Sequence, residues 1–509
     1  MQYADDDAAN ARGGRPSCRP LRPGRVPWRP GKFFALTQTL GLVLALAGAV
    51  APAAVPPGPG VAASAATGPR SAPATPPAAA ASSVDATAEV AVPLPEPVLS
   101  NAGQRIYDRT RARLLQVRTL LKTQDSQSSV GSGFLVDESG LLVTNYHVIS
   151  QYALQPTRHR LVYATVDGRQ GALQLLAFDV VHDLALLKAT DPAPLAGRGA
   201  VALRPADEPL PRGARIFSLG NPLDVGFAVA EGSYNGPAER SFLETLFFGG
   251  SLSAGMSGGP ALDEQGRLIG VNVAARRDGE QVSFLVPASQ VRGLLERGRG
   301  AAPITTPSWA ELTRQLLVHE AALTERFIGL PWRSAGHPRY AIPVPQEQFM
   351  RCWGQGSPQA VRGLRFERSD CAMGSRIFVN GALLIGHLAV RHESYDGSKL
   401  GTLRFSQRYS ASFANEFTGT DDRHLTAPRC VERSVDRDGL PLRAVVCLRA
   451  YKKLEGLHDL SILVATLDGA QDGVQGRFDA RGLSVASAQR LVAHYLNGFA
   501  WIAPKNASH

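Results

Sequence analysis

The sequence lacks any grouping of histidine and cysteine at the spacing that holds a metal ion. Its 509 residues include 11 histidines and five cysteines, but these are scattered along the chain, whereas zinc sites bring such ligands together at short, regular intervals. The absence argues against a metal centre, and nothing in the sequence requires another cofactor. The function must therefore be sought in chemistry that side chains perform unaided.

Strong charge of one sign is also missing outside the N-terminus. The formal net charge is +10, yet residues 1–32 supply +4 of it, with seven Arg or Lys against three Asp. The remaining excess is spread over a long chain. Such a basic balance gives little support for nucleic-acid binding, and we expect no nucleic-acid partner.

The one long apolar run follows the basic N-terminal residues. Residues 33–51 carry no charge and end in small residues, a pattern typical of an export signal. Because 19 residues are nearly enough to span a bilayer, residues 1–51 are interpreted as an export signal or an uncleaved membrane anchor. The Ala- and Pro-rich residues 52–97 predict a disordered linker. We expect a periplasmic or extracellular protein, with a membrane tether through 33–51 as the alternative to cleavage.

Short apolar runs follow one another closely between residues 98 and 298, with no long helical period among them. They cover 114–120, 134–136, 141–143, 161–166, 172–178, 184–189, 215–219, 227–230, 268–273 and 282–286. Turn signals such as DESG and GNP separate them. The pattern predicts a mainly β domain, closed or sandwiched, that ends in a short helix over 287–296.

Three residues at the edges of these strands form a candidate catalytic set: His147, Asp183 and Ser257. A serine hydroxyl is a poor nucleophile until a base accepts its proton, and the base needs a carboxylate to orient it. Gly255 permits the tight turn that an oxyanion hole of main-chain N–H groups requires. Asp179 is an alternative carboxylate, but Asp183 directly precedes the apolar run LALLK, so a strand fixes its position.

Four motifs carry a specific resemblance: TNYHVI, HDLALLK, SLGNP and GMSGGPALDEQGRLIGVN. They resemble, in the same order, motifs of trypsin-like serine peptidases of the HtrA/Deg type. The resemblance covers about residues 105–297 and implies the chymotrypsin fold of two β-barrels. It also implies that His147 is the general base, Asp183 its orienting carboxylate and Ser257 the nucleophile, with the N–H groups of Gly255 and Ser257 as the oxyanion hole.

Departures from that group bear on substrate choice. Met256 stands where Asn is usual, and residues 247–250 (FFGG) replace a polar segment. In the chymotrypsin fold the residue six before the nucleophile lies at the base of the specificity pocket, which here is the neutral Ser251. With small Val273 and Ala274 on one wall, we expect a small or medium aliphatic residue before the scissile bond rather than Arg or Lys.

Residues 299–509 have a different pattern, with no likeness to the peptide-binding PDZ modules that often follow such proteases. Ser308 and Glu311 predict a capping box for a helix over 309–327, and a second helix is predicted over 485–497 with Ser484 as its cap. Strand-like runs lie at 376–379, 383–390, 402–405, 443–448 and 460–465. We expect a separate α+β domain with an antiparallel sheet.

Four cysteines lie in this region, and an even number in an exported chain indicates disulfides. They are Cys352, Cys371, Cys430 and Cys447, and four cysteines allow three connectivities. We favour pairing the first two and the last two, because the GLPL segment between Cys430 and Cys447 would turn a hairpin. Free buried thiols are the alternative.

The sequence as a whole predicts an exported serine endopeptidase that acts on protein or peptide substrates without a cofactor. The alternative is a binding or chaperone-like protein that keeps a protease fold and turns over little. The natural substrate and the oligomeric state stay open at this point.

Overall fold

The computed structural model describes residues 100–275, 281–358, 361, 363–414 and 423–502, with only the backbone of 274 and 275. The expected export signal, residues 1–51, and linker, residues 52–97, lie outside these ranges. Within them, no helix is both long and apolar enough to cross a lipid bilayer.

Six antiparallel strands close into a first barrel around the predicted hairpin. They are β1 (Leu114–Leu121), β2 (Gln127–Leu135), β3 (Leu141–Thr144), β4 (His159–Thr165), β5 (Gln170–Asp179) and β6 (Leu184–Ala189), in the spatial order β1-β2-β3-β6-β5-β4. Helix α1 (Asn101–Thr110) precedes the barrel, and α2 (Tyr146–Leu154) connects β3 to β4. The sequence did not indicate α2, whose buried Val148, Ile149 and Leu154 face the barrel core.

A second closed barrel of six antiparallel strands follows. Its strands are β7 (Arg215–Gly220), β8 (Ala228–Pro237), β9 (Leu246–Gly249), β10 (Pro260–Leu262), β11 (Leu268–Ala275) and β12 (Ser283–Pro287), in the order β10-β11-β12-β9-β8-β7. Helix α3 (Ala288–Gly298) closes it, as predicted. Phe134 from the first barrel and Phe217 from the second belong to one buried cluster, so the two barrels share a core. The double barrel implied by the resemblance is confirmed.

The remaining described residues form the predicted α+β region. Its elements are α4 (Trp309–Ile328), β13 (Arg333–Ser334), β14 (Tyr340–Ala341), β15 (Pro343–Val344), β16 (Met350–Gly356), β17 (Arg365–Met373), β18 (Ile377–Asn380), β19 (Leu383–Ile385), β20 (His387–Asp396), α5 (Thr402–Ser412), β21 (Arg429–Arg437), β22 (Leu440–Ala450), β23 (His458–Thr466), β24 (Asp472–Leu483), α6 (Val485–Asn497) and β25 (Ala500–Trp501). Seven of these strands form an antiparallel sheet in the order β16-β17-β20-β24-β23-β22-β21. Helices α4 and α6 pack on it through buried Phe327, Phe478 and Tyr495.

Two disulfides join the outer strands of this sheet to their neighbours. Cys352–Cys371 links β16 to β17, and Cys430–Cys447 links β21 to β22, each pair lying directly opposite in the strand register. This is the connectivity favoured from the sequence. The β21–β22 turn falls at Asp438 and Gly439, both with positive φ, one residue earlier than the GLPL segment implied.

Three local predictions for the C-terminal region were wrong. Residues 402–405 begin helix α5 instead of forming a strand, because Phe405 and Tyr409, one turn apart, are both buried. The run 383–390 is broken at Gly386, whose φ is +70°. Ser308 does not cap α4, since its hydroxyl makes no side-chain cap bond, while Glu311 pairs with Arg314.

Candidate active site

His147 and Asp183 meet at one edge of the first barrel. His147 is the second residue of α2, and Asp183 immediately precedes β6. The imidazole Nδ1 lies 2.6 Å from Asp183 Oδ2, and the backbone N–H of His147 donates to Asp183 Oδ1 at 2.8 Å. Their side chains are 14% and 18% exposed. Because a carboxylate only accepts hydrogen bonds, the network assigns the ring proton to Nδ1 and leaves Nε2 as an acceptor.

The backbone of Asp183 is held in an uncommon conformation. Its φ is +55°, a left-handed geometry that Asp adopts more readily than most residues. The Asp183 carbonyl oxygen accepts hydrogen bonds from Asn145 Nδ2 at 2.8 Å and from the Tyr146 N–H at 3.1 Å. The start of α2 therefore clamps this aspartate at both its carbonyl and its carboxylate.

The Ser257 turn requires glycine on both sides of the serine. Gly255 and Gly258 have φ of +92° and +85°, and a Cβ at these positions would collide with the carbonyl oxygens of Asn221 and Ser132, respectively. Ser132 also holds the turn in place. Its N–H donates to the Ser257 carbonyl at 2.8 Å, and its hydroxyl donates to the Gly255 carbonyl at 2.7 Å.

Asn272 supports the same turn from β11. It is fully buried, and its amide group donates to the carbonyls of Leu219 at 3.0 Å and Met256 at 3.2 Å. Its side-chain oxygen accepts from Ser218 at 2.7 Å, and its backbone carbonyl accepts from the Gly258 N–H at 2.9 Å. Sequence reasoning missed Asn272 and Ser132; the signal for Asn272 is a polar residue inside the apolar run LIGVNVA.

The turn leaves two main-chain donors unengaged. Within the described part of the chain, the N–H groups of Gly255 and Ser257 have no hydrogen-bond acceptor, so both can serve a bound oxyanion. The Ser257 hydroxyl donates to the Val273 carbonyl at 3.4 Å. Among the hydrogen bonds of the described residues, none joins it to His147. The structure thus pairs His147 with Asp183 and leaves the Ser257 hydroxyl turned to β11.

Asp179, the alternative carboxylate, is engaged elsewhere. Its Oδ2 lies 3.0 Å from His182 Nδ1 and 3.1 Å from Arg297 Nη2. Burial favours a raised pKa for Asp179, but the hydrogen bonds and positive charge of His182 outweigh it, so this pKa lies below its usual value. Asp179 and His182 form a pair of their own, and His147 has Asp183.

The expected specificity-pocket residues are only partly defined. Ser251 is exposed, two residues after β9, and Val273 is half-buried on β11. Ala274 lies on β11, but its side chain is outside the described atoms. The specificity pocket therefore stays a prediction. Among the described residues, no three His, Cys, Asp or Glu side chains are grouped to hold a metal ion.

Comparisons with known proteins find similarity over the part of the chain that forms the two barrels. Residues 131–271 match the family model of the trypsin-like peptidase domain. Serine protease HTRA1 of Xenopus tropicalis is 30% identical over 173 residues, covering 32% of this chain and 35% of that protein. Serine endoprotease DegS of Salmonella typhimurium is 26% identical over 228 residues, covering 42% and 57%. The crystal structure of the serine endoprotease from Yersinia pestis covers 39% of this chain and 67% of its own at 22% identity, with a TM-score of 0.33.

The two barrels with their shared core define the fold of residues 114–287 as chymotrypsin-like. Within that class, the family match and the curated relatives make this region similar to trypsin-like serine peptidases of the HtrA type. The matched part of this chain spans from about a third to somewhat over half of those relatives.

Proposed function

We propose that this protein is an exported serine endopeptidase that hydrolyses protein or peptide substrates through an acyl-enzyme. The observation that carries the proposal is the 2.6 Å pair of His147 and Asp183. It lies in the same fold as a serine turn whose two main-chain donors have no acceptor among the described residues. These are the parts that acyl transfer on a serine needs. Both curated relatives named above are called serine proteases.

Each residue has one role in the proposed reaction. Ser257 turns from the Val273 carbonyl to His147 Nε2 and attacks the substrate carbonyl carbon while His147 accepts its proton. Asp183 keeps the imidazole oriented and stabilises its positive charge, and the N–H groups of Gly255 and Ser257 stabilise the oxyanion. His147 then protonates the leaving amine. A water molecule, deprotonated by His147, hydrolyses the acyl-enzyme and restores Ser257.

We further propose that the residue before the scissile bond is small or medium and aliphatic. A pocket based on neutral Ser251, with Val273 and Ala274 as a wall, offers no carboxylate to pair with Arg or Lys. Because one methylene group in such a pocket changes the free energy by about 1–3 kcal/mol, the preference among Ala, Val, Leu and Met should be graded.

We also propose a domain organisation along the chain. Residues 1–51 direct export or anchor the protein, residues 52–97 are a linker, and residues 98–298 are the protease domain. Residues 299–509 are a disulfide-bonded α+β domain. Export is supported by the two disulfides, since such bonds persist in oxidising compartments.

A binding or chaperone-like role with little turnover is the second candidate. The observation that favours it is the Ser257 hydroxyl, which is hydrogen-bonded to Val273 rather than to the proposed base. Catalytic hydrogen bonds are often long or misaligned in unliganded sites and tighten when substrate binds. We therefore keep the peptidase as the main proposal.

Hydrolysis of an unfolded protein such as casein by the full chain tests the choice. Ser257→Ala should lower kcat by on the order of 10⁴-fold or more. Ser253→Ala, in the same turn and exposed, is the matched control and should stay within about threefold of wild type. If Ser257→Ala keeps a substantial fraction of the activity, the assignment is wrong; if the folded wild type never turns over, the binding role replaces it.

A further inference from the structure

A hairpin from the C-terminal region leaves its own sheet and packs against the helix that carries His147. Among the described strands, β18 and β19 pair only with each other, whereas β17 and β20 before and after them are neighbours in the seven-stranded sheet. The hairpin is therefore an excursion from the sheet. It returns at Gly386, where φ is +70° and the N–H donates to the Arg481 carbonyl at 3.0 Å.

The apolar side chains of the hairpin are buried where it packs against α2. Ile377, Val379, Leu383 and Ile385 are each at most 6% exposed and belong to one apolar cluster with α2 and the barrel strands. Residues 377–385 lie beyond the segment that matches the peptidase family, residues 131–271. This contact is thus a feature that the C-terminal region adds to the protease fold.

Tyr146, the neighbour of His147, ties α2 to this hairpin. Its hydroxyl donates to the Val379 carbonyl at 3.0 Å, and its ring lies 5.3 Å from Phe178 and 6.5 Å from Phe378 between ring centroids. Tyr146 is fully buried. Burial first, and the charge of Asp183 second, raise the pKa of its hydroxyl, so it stays a neutral donor and the tie persists at any working pH.

Phe378 contacts the imidazole itself. Its ring stands nearly perpendicular to that of His147, at 82° and 6.1 Å between centroids, the edge-to-face geometry that aromatic pairs favour. Phe378 is 8% exposed. Asp183 holds His147 through Nδ1 and the backbone N–H, and the Phe378 ring adds an aromatic contact to the same imidazole.

We infer that Phe378 is a positioning residue of the peptidase: it holds the His147 ring in the plane in which Nε2 can accept the Ser257 proton. The inference rests on the proposed function. It makes the C-terminal region a part of the active site, because the residue that orients the base comes from β18. A loosely held base is costly, since small misplacements of a catalytic group lower rates strongly.

Steady-state hydrolysis by full-length variants tests this role. Phe378→Ala should lower kcat about tenfold and leave KM within about twofold, because the ring acts on proton transfer and not on substrate binding. Phe378→Leu, which restores most of the side-chain volume, should have a kcat at most about threefold below wild type. Leu383→Ala is the matched control: it removes a buried side chain from the same hairpin and should lower the Tm comparably while kcat stays within about twofold.

A spectroscopic readout separates orientation from stability. The downfield proton resonance of the His147 Nδ1–H bond to Asp183 should broaden or vanish in Phe378→Ala and persist in Leu383→Ala. Unchanged kcat and an unchanged resonance in Phe378→Ala would overturn the inference but not the proposed function. An equal loss of kcat in Phe378→Ala and Leu383→Ala would do the same. A folded wild type without Ser257-dependent turnover would overturn both the inference and the proposed function.

Discussion

At the scale of single residues, the unusual backbone conformation of Asp183 places both its carbonyl and its carboxylate in the candidate site. Its positive φ turns the carbonyl toward Asn145 and Tyr146 while the carboxylate receives two donors from His147. Asparagine tolerates the same left-handed conformation, so an amide can replace the carboxylate without backbone strain. What it cannot do is stabilise the imidazolium, and it permits the wrong ring tautomer.

Asp183→Asn should therefore lower kcat by roughly 10³–10⁴-fold while the protein stays folded. The matched control is Asp179→Asn, four residues upstream, whose partners are His182 and Arg297; its kcat should stay within about tenfold of wild type. The measurement is kcat on a peptide substrate, with far-UV circular dichroism as the check on folding. A larger loss in Asp179→Asn than in Asp183→Asn would exchange the two assignments.

The pairing of His147 with Asp183 was predictable from sequence, because both residues stand in short motifs. His147, Asp183, Ser257 and Gly255 each stand in a local pattern whose residue types have a chemical reason. Phe378 has no such pattern: it reaches His147 across more than 200 residues of chain, and only the folded hairpin shows the contact. Tertiary support of a site is invisible to local reasoning for this reason.

At the scale of elements, the seven-stranded sheet is stabilised at both of its edges. Edge strands β16 and β21 each have one hydrogen-bonded neighbour in the sheet, and a disulfide fixes each to that neighbour. Strand β21 is exposed over most of its length, so packing contributes little there. The cross-link replaces the contacts that an inner strand would make on its second side.

Removing one cross-link should lower stability without altering the protease chemistry. For Cys430→Ala with Cys447→Ala, the closed loop has a sequence separation of 17, and the chain-entropy relation gives a loss of about 3 kcal/mol in unfolding free energy. Urea unfolding of the double variant, with and without dithiothreitol, measures it. Equal unfolding midpoints for the variant and the oxidised wild type would contradict a stabilising role.

Strand prediction failed where polar residues alternate along the chain. Strand β17 was missed because Arg368 and Asp370 interrupt any apolar run. Across the sheet, however, these two side chains pair with Glu393 and Arg391. The pattern there is a half-buried sheet face covered by ion pairs, which a search for hydrophobic alternation does not detect. Helix α6, by contrast, was predicted with its Ser484 cap, which accepts from the Ser487 N–H at 3.1 Å, because helix ends carry local signals.

At the scale of the whole molecule, stability should depend on buried histidines that the proposed chemistry does not use. His319, His387 and His392 all lie in the C-terminal region, and burial is the first cause of the lowered pKa of each. Their pKa values fall from 6.5 to about 4, about 4 and about 3, respectively. Between these lowered pKa values and 6.5, the three histidines bind protons in the unfolded chain but stay neutral in the folded protein.

Stability should accordingly fall as the pH drops below about 6.5 and continue to fall to about pH 4. In this window the unfolded state binds more protons, at a cost of about 1.4 kcal/mol per pH unit for each histidine. Urea unfolding at pH 7.5, 6.0 and 5.0 measures the slope. His387→Gln should reduce this slope by the contribution of one histidine, about 1.4 kcal/mol per pH unit. A free energy of unfolding that stays constant from pH 7 to pH 5 would contradict the assignment of these histidines as buried and neutral.

The most direct test of the account is covalent labelling of the full-length protein with a fluorophosphonate, which reacts with an activated serine and releases fluoride. We predict one label per chain, located at Ser257 by peptide mass mapping, absent in Ser257→Ala and slowed by orders of magnitude in His147→Ala, because the probe needs the serine, its base and the oxyanion donors together. Ser253→Ala should label like wild type. A folded protein that hydrolyses peptides while its label sits on another serine, or labelling at Ser257 that is indifferent to the loss of His147, would contradict the central claim.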